Sequence, residues 1–150
     1  MTRNHVEMRN HVKTLEKELK EVVDGEHFFA LYDMLVKHKS GFVHNREYLV
    51  DAFKRGGELY YLQIMETDEL FKDQELRYKL ALFTEARPAR LYLPVFCWRR
   101  NGNCMMLWVA PFLQKLGLAS DILRKLDIKR AHNILFESRS FWEHIGIPEV

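Results

Sequence analysis

A strand that runs through a small-residue turn directly into a helix is the strongest restriction that this sequence places on its own fold. The strand is predicted over residues 104–110, and Pro111 ends it because proline cannot donate a ladder hydrogen bond. Gly117 and Ala119 then remove side-chain bulk from the first turn of an amphipathic helix that is predicted to reach about Leu126. This order of elements predicts an α/β fold.

The start of this helix predicts a binding site for phosphate groups. The first N–H groups of a helix have no partner within it, and they lie at the positive end of its dipole. A pyrophosphate at residues 114–120 accepts several of these hydrogen bonds at once, and Gly117 lets it lie close to the main chain.

The same residues resemble a known family motif. Gln114-x-x-Gly117-x-Ala119 after a strand resembles the signature of the GNAT superfamily of acyl-CoA-dependent N-acyltransferases, Gln/Arg-x-x-Gly-x-Gly/Ala. Residues 138–147 resemble the closing helix and turn of that family, usually Ala-x-x-aromatic-Tyr-Glu-x-x-Gly-Phe. The two segments occur in the correct order with a compatible gap, and together they cover residues 104–150.

The resemblance implies a mixed, largely antiparallel sheet with flanking helices, to which the apolar pattern of the amino-terminal residues adds an extra helix. It also implies acetyl-CoA as a co-substrate, which is held mainly by the main chain. The implied contacts to the pantetheine arm are Trp108, Val109 and Ala110. The implied contacts to the pyrophosphate are Gln114, Lys115, Leu116, Gly117, Leu118, Ala119 and Ser120.

The implied activity is transfer of an acetyl group from acetyl-CoA to a primary amine of a small molecule or a protein. Many members carry a Tyr in the closing helix that protonates the departing thiolate, but this chain has Trp142, whose indole is a hydrogen-bond donor only. Glu66 and Glu85, at the ends of neighbouring predicted strands, are the acidic candidates for catalysis. Cys104 and His132 are weaker candidates. Ordinary surface or core roles compete with catalysis at each of these positions.

Two other functions stay open. A catalytically silent acyl-CoA-binding or regulatory module would keep the phosphate turn without the acid and base, and Trp142 favours it. A protein-interaction module would use an apolar stripe near the amino terminus, with the turn at Gly117 a coincidence. The sequence does not identify the amine acceptor.

That stripe lies in residues 5–23, which are predicted to form one helix because apolar residues repeat at steps of four and three. Its members are Met8, Val12, Leu15, Leu19 and Val22. Residues 1–24 would then be a helical extension of a domain that spans residues 25–150, and the stripe packs against that domain or dimerises with a second copy. A short strand at residues 12–15 is the alternative, because GNAT-like domains usually begin with a strand.

The rest of the chain reads as helices followed by strands. Helices are predicted at residues 27–38 and from a cap at Asn45 to Gly56. An antiparallel meander follows, and then a short strand and a final helix. The strands are predicted at residues 59–65, 78–84, 90–98, 104–110 and near 132–136, and the final helix at 138–144.

The Asn-Gly dipeptide at residues 101–102 predicts a two-residue hairpin turn. The resulting pairs are Arg100 with Asn103, Arg99 with Cys104, and Trp98 with Met105. Cys97 and Cys104 then lie on a diagonal of one face, with Cβ atoms roughly 6–8 Å apart, whereas a disulfide needs about 3.8 Å. We therefore expect two reduced, buried thiols. The same register sets Pro94 opposite Val109 and predicts an irregular ladder there.

Composition narrows the possible partners. Twenty-three Lys and Arg against twenty-one Asp and Glu give a net charge of +2, which does not suggest a nucleic-acid partner. Arg99 and Arg100 at the hairpin tip favour an acidic substrate or the cofactor's phosphates, or they belong to a solvated turn. The 7 histidines lack the ligand spacing of a zinc site, so no metal is predicted. With no run as long as a membrane helix and no signal-peptide core, we expect a soluble cytoplasmic protein of one globular domain, without a membrane partner.

Overall fold

One mixed sheet organises the molecule. The computed structural model describes residues 3–37, 54, 56–65, 70, 72–86, 89–132 and 138–150. Most of the predicted helix after Asn45, and the candidate Glu66, lie outside these residues. So does most of the strand predicted near residues 132–136.

The amino-terminal half contains α1 (Arg3–Thr14), β1 (Lys17–Glu21), α2 (Gly25–Lys37) and β2 (Glu58–Ile64). It is followed by α3 (Gln74–Leu80), a 3₁₀ turn (Ala81–Phe83), β3 (Thr84–Ala86) and β4 (Ala89–Arg100). The carboxyl-terminal part contains β5 (Asn103–Val109), a 3₁₀ turn (Pro111–Leu113), α4 (Leu118–Lys125), β6 (Arg130–Ala131) and α5 (Arg139–Ile145).

The six strands form one sheet in the order β1-β2-β4-β5-β6, and β3 pairs with β4 beside this path. All pairings are antiparallel except that of β5 with β6. The predicted class, a mixed and largely antiparallel α/β fold, is confirmed. No helix in the described part of the chain is both long and apolar enough to span a membrane.

The central strand β4 is buried on both faces, which explains its almost continuous run of apolar residues. One face contributes to a core shared with α1, α3 and α4, here called the α1–α4 core. The other face contributes to a core shared with α2, here called the α2 core. From β4, the α1–α4 core receives Leu91, Leu93, Val95 and Cys97, and the α2 core receives Tyr92, Phe96 and Trp98.

The prediction of one helix over residues 5–23 is wrong in its second half. The helix ends at Thr14, and β1 pairs along β2 from Lys17 to Glu21. Leu19 of β1 packs against the α1–α4 core while its charged neighbours are largely exposed, a period of two that fits an edge strand. The alternative strand at residues 12–15 is also wrong, because these residues end α1 and begin the turn.

The amino-terminal stripe belongs to its own domain. Met8 and Val12 have no exposed surface and lie in the α1–α4 core, and Leu15 packs against it. Residues 1–24 therefore contribute both a core helix and a strand of the sheet. The predicted homodimer is not tested by this packing, but it would have to use another surface.

The prediction of a strand over residues 78–84 is wrong for most of its length. Asp73 caps α3, since its Oδ1 accepts a hydrogen bond of 2.9 Å from the amide of Leu76. Leu76 and Leu80, four residues apart, are buried, while Tyr78 between them is 82% exposed. This spacing is helical, and only the short β3 at Thr84 continues as a strand.

The predicted residue pairs of the hairpin between β4 and β5 are correct at its tip, but the register is shifted by one residue beyond it. Arg100 pairs with Asn103 and Arg99 with Cys104, but Trp98 pairs with Met106 because Met105 forms a bulge. The two cysteines are buried and free, with their Sγ atoms 3.8 Å apart. The burial of both thiols is confirmed, and their reduced state stays a prediction.

The irregularity predicted near Pro94 occurs on the other side of β4. Val95, rather than Pro94, lies opposite Val109 in β5. Between β4 and β2, the pairs change from Tyr61 with Phe96 to Leu62 with Leu93, so β2 leaves Pro94 and Val95 unmatched. Proline lacks an N–H group, and this bulge places it where the ladder to β2 is already interrupted.

Candidate functional site

The predicted strand–turn–helix junction is present. After β5, the amide of Leu113 donates to the carbonyl of Ala110 at 2.9 Å and closes the 3₁₀ turn. Gln114 is extended, with φ −72° and ψ 152°. Lys115 and Gly117 follow with φ values of 66° and 80°, in the left-handed region that favours glycine. The backbone thus turns sharply twice before α4 begins.

The start of α4 is open. Gly117 is its N-cap residue, and no side chain caps the helix there. A Cβ added at Gly117 would meet no atom within 4 Å. The first backbone bond of the helix runs from the amide of Asp121 to the carbonyl of Gly117 at 3.1 Å. The amides of residues 118–120 therefore lack a side-chain acceptor from the cap, which is the arrangement an anion can use.

The charges around this turn are mixed. Lys115 is exposed within the turn. Asp121 lies in the first turn of α4 and forms an exposed ion pair with Arg124, at 2.7 Å. Its carboxylate interacts favourably with the helix dipole and reduces the positive potential that a phosphate would meet. The main-chain amides are thus the principal donors of this site.

The hydrogen bonding of β5 shows which main-chain groups face outward. The amide of Ala110 donates to the carbonyl of Pro94 at 3.0 Å, so Val95 and Val109 form a non-hydrogen-bonded pair. In such a pair the main-chain groups point away from the partner strand. The amide and carbonyl of Val109 therefore point away from β4, whereas those of Trp108 point toward it.

The three predicted pantetheine residues are therefore not equivalent. The amide of Ala110 and the main chain of Trp108 are used by β4. The carbonyl of Val109 accepts a hydrogen bond of 3.2 Å from the side chain of Gln114. Its outward amide has no acceptor among the residues that the structure describes. In the described residues, β6 covers the outer edge of β5 at Asn103 and Cys104.

The structure describes the surroundings of two of the candidate catalytic residues but not of the other two. Glu66 and the side chain of Glu85 lie outside the part of the chain that the structure describes. Cys104 is 2% exposed in the α1–α4 core, where its thiol contacts that of Cys97. This burial and the contact with a second buried thiol favour a packing role for Cys104. His132 is partly buried, and its amide donates to the carbonyl of Cys104 at 2.9 Å.

The closing helix α5 is largely a packing element. Trp142 is 6% exposed in the α1–α4 core, and its ring meets that of Phe141 edge-on at 5.2 Å between centroids. Gly146 ends the helix with φ 76°. The helix and turn predicted at residues 138–147 are present, but the indole lies in the core.

Arg99 does not belong to a solvated turn. Its guanidinium donates to both carboxylate oxygens of Glu58, at 2.9 and 3.1 Å, and to the carbonyl of Leu126 at 2.8 Å. These bonds lower the pKa of Glu58, while burial and the bond to Glu58 raise the pKa of Tyr60 to about 12. Arg99 joins β4 to β2 and to the end of α4, so it is occupied by internal contacts rather than presented to a ligand.

Sequence reasoning missed one contact to the junction. Arg9 of α1 donates from Nη1 to the carbonyl of Phe112 at 3.1 Å and from Nη2 to the carbonyl of Gln114 at 2.7 Å. More than a hundred residues separate these partners, so no local pattern links them. A basic residue on a predicted amphipathic helix was the only available signal.

A second concave surface lies between α1 and the start of α3. It is a cavity of about 440 Å³, lined by Glu7, Met8, His11, Lys72, Asp73, Gln74 and Glu75. Nδ1 of His11 lies 2.9 Å from the Asp73 carboxylate that also caps α3. The bond fixes the imidazole at the cavity wall. Among the described residues, no group of His, Cys, Asp and Glu could hold a metal ion.

Comparisons of the chain with protein-family models, with curated proteins and with solved structures give no match. The case for a function therefore rests on the junction and on the chemistry of its own residues.

Proposed function

We propose that the protein is an N-acetyltransferase that transfers an acetyl group from acetyl-CoA to a primary amine of a small molecule or a protein. The observation that carries the proposal is the uncapped start of α4, with Gly117 in the left-handed conformation and open space around it. This geometry lies at the motif that resembles the GNAT signature. The site needs no metal.

The pyrophosphate of the coenzyme would bind over residues 114–120. Its oxygens would accept hydrogen bonds from the amides at the start of α4, as anions do at helix N-termini. Lys115 adds an exposed cation within the turn. Asp121 opposes this charge, so the proposal depends on the backbone amides more than on the net charge.

The pantetheine arm would run along the outer edge of β5. An extended chain beside a strand edge pairs with outward main-chain groups, and Val109 presents its amide there. We assign this amide to the oxyanion that forms when the amine attacks the thioester carbonyl, rather than to the arm itself. Trp108 and Ala110, whose amides are used by β4, would contribute shape rather than hydrogen bonds.

The proton chemistry is assigned to carboxylates and water. The amine must lose a proton before it attacks, and a carboxylate or a water chain can accept that proton near neutral pH. Glu66 and Glu85 are the proposed acceptors. Because Trp142 is buried and cannot transfer a proton, the coenzyme would leave as a thiolate or take its proton from water. The unbonded thiols favour a reducing, cytoplasmic location.

The alternative is an acyl-CoA-binding module without activity. The burial of Trp142 supports it, since the residue at the position of the missing Tyr cannot donate a proton to the thiolate. An interaction module that uses the stripe of α1 is less favoured, because Met8 and Val12 are completely buried.

The deciding experiment measures thermal stability and then thiol release. A ligand that binds only the folded state at a hundred times its Kd adds about 2.7 kcal/mol to the free energy of unfolding. We expect acetyl-CoA and CoA to raise the Tm. A panel of primary amines should then release free CoA from acetyl-CoA. A raised Tm without CoA release with any amine would favour the silent module, and an unchanged Tm would reject both.

A further inference from the structure

We infer that Arg9 is a positioning residue for the coenzyme-binding turn, which it holds from outside the motif. The inference rests on the proposed function, and it concerns the same site. Arg9 lies on α1, far from the turn in sequence, and it spans the carbonyls of Phe112 and Gln114.

The two hydrogen bonds fix the orientation of two peptide planes. In a trans peptide, the C=O group and the following N–H group point in opposite directions. The carbonyl of Gln114 points to Arg9, so the amide of Lys115 points away from α1. The carbonyl of Phe112 also points to Arg9, and the amide of Leu113 points away and bonds to Ala110 at 2.9 Å. Arg9 thus sets the direction of the first amide of the turn.

The helix that carries Arg9 is a rigid support. Met8, beside it in the sequence, has no exposed surface and packs in the α1–α4 core. The guanidinium is a planar fork whose two ends can each serve one carbonyl, whereas the ammonium of a lysine is a single point donor. The spacing of Phe112 and Gln114 therefore suits arginine.

Leu113 is buried in the α1–α4 core and its amide is bonded, but among the described residues the peptide plane between Gln114 and Lys115 is held by hydrogen bonding only through Arg9. Lys115 has a positive φ of 66° without being glycine, a conformation that few residues adopt unless the surroundings hold it. The side chain of Gln114 reaches back to the carbonyl of Val109 at 3.2 Å. Arg9 thus restrains the main-chain carbonyl of Gln114, and the bond to Val109 restrains its side chain. Loss of Arg9 would let the peptide plane between Gln114 and Lys115 rotate.

The test compares Arg9→Ala, Arg9→Lys and the control Lys13→Ala with the unmodified chain. Lys13 lies on the same helix with an exposed side chain, so its removal takes away an equal charge without touching the turn. In the absence of ligand, we expect hydrogen exchange at the hydrogen-bonded amides of Leu113 and Gln114, which donate to the carbonyls of Ala110 and Pro111, to be about tenfold faster in Arg9→Ala and unchanged in Lys13→Ala. Exchange over β4 should stay the same in all variants, which shows that the variants are folded.

Coenzyme binding gives the second measurement. We expect CoA to bind Arg9→Ala about tenfold more weakly, with the KM for acetyl-CoA raised by the same factor and kcat retained. Arg9→Lys should be nearly as weak, because it keeps the charge without the two-carbonyl fork. Binding by Arg9→Lys equal to that of the unmodified chain would show a simple attraction of charge and overturn the inference.

Different outcomes would overturn the positioning role of Arg9 and the proposed acetyltransferase function. Unchanged exchange of the Leu113 and Gln114 amides in Arg9→Ala overturns the positioning role, whether or not the coenzyme binds. Failure of the unmodified chain to bind CoA rejects the proposed function. If CoA binds the unmodified chain and Arg9→Ala with equal affinity, the inference falls and the proposed function stands.

Discussion

Arg99 and Glu58 form a two-point ion pair across β4 and β2, with Nε–Oε1 and Nη2–Oε2 distances of 2.9 and 3.1 Å. Both side chains are less than one-third exposed, so water screens the pair only partly. The hydroxyl of Tyr60 also bonds to the Glu58 carboxylate at 3.1 Å. This cluster joins two strands of the sheet to the end of α4.

Glu58→Gln should make the free energy of unfolding fall less steeply at low pH. The hydrogen bond with Arg99 lowers the pKa of Glu58 below its ordinary value of 4.5. A lowered folded-state pKa stabilises the protein above the unfolded-state value, and this contribution is lost as the pH falls through the folded-state pKa. We expect Glu58→Gln to lower the free energy of unfolding at pH 7 by about 1–2 kcal/mol and to flatten the loss below pH 4.5. Denaturant unfolding from pH 7 down to about 3 measures both.

The control is Glu18→Gln. Glu18 pairs with Lys20 at 2.9 Å, but these side chains are 57% and 45% exposed. We expect little change in stability or in its pH dependence. Equal behaviour of the two variants would show that the Glu58 pair contributes no more than a surface pair.

Gly117→Glu should abolish coenzyme binding, because it adds bulk and negative charge where the diphosphate would lie. Gly102→Glu is the matched control, since φ is +80° at Gly117 and +79° at Gly102, with no atom within 4 Å of an added Cβ at either. Both variants carry the same backbone strain, about 1–2 kcal/mol. The measurement is the rise in Tm with CoA. Retained binding by Gly117→Glu would place the coenzyme elsewhere.

The two thiols should be unreactive in the folded protein. The hydrogen bond with Cys104 and burial together raise the pKa of Cys97. Since the thiolate is the reactive form, we expect a disulfide reagent at pH 7.5 to modify neither cysteine at a measurable rate until denaturant is added. Rapid reaction of Cys104 in the folded state would instead support a catalytic role for it.

Met8→Ala tests the packing of α1. Met8 has no exposed surface, and its truncation should lower the free energy of unfolding by about 2–5 kcal/mol. Val6→Ala on the same helix is the control, because Val6 is 56% exposed and should change stability by less than about 0.5 kcal/mol. Sedimentation should give the same oligomeric state for both. A dimer that Met8→Ala converts to monomer without loss of stability would contradict the internal packing of the stripe.

Local signals predicted the junction and the hairpin tip. Pro111 ends β5, Gly117 begins α4, and the Asn-Gly turn sets the first pairs between β4 and β5. Each of these depends on the conformations that one or two residues allow, so the sequence alone was sufficient.

The wrong predictions concern elements that depend on contacts between residues distant in the sequence, or on local patterns that were too weak to decide between a helix and a strand. β1 consists of residues with good helix propensity, and its pairing with β2 overrides that preference. Residues 78–84 are predicted as a strand, whereas the cap at Asp73 and the buried Leu76 and Leu80 make the segment up to Leu80 helical. No glycine or other turn residue beside Met105 indicates the bulge there.

For the candidate site, the sequence predicted the backbone donors of the turn but not their direction. The pairing of Val95 with Val109 decides that Val109, not Trp108, faces outward. The hydrogen bond from Arg9 to the carbonyl of Gln114 depends on how α1 packs. No residue near Arg9 or Gln114 in the sequence indicates this contact.

The bulge between β2 and β4 limits how this sheet can change its length. Two residues, Pro94 and Val95, are looped out of the pairing with β2, and an even number preserves the alternation of faces. Unless a further one-residue bulge such as that at Met105 absorbs it, insertion or deletion of a single residue between Leu93 and Phe96 would exchange the two faces of β4 on one side of the change, turning Phe96 and Trp98 toward α4. Natural variants of this strand should therefore gain or lose residues there in pairs, or together with a new bulge.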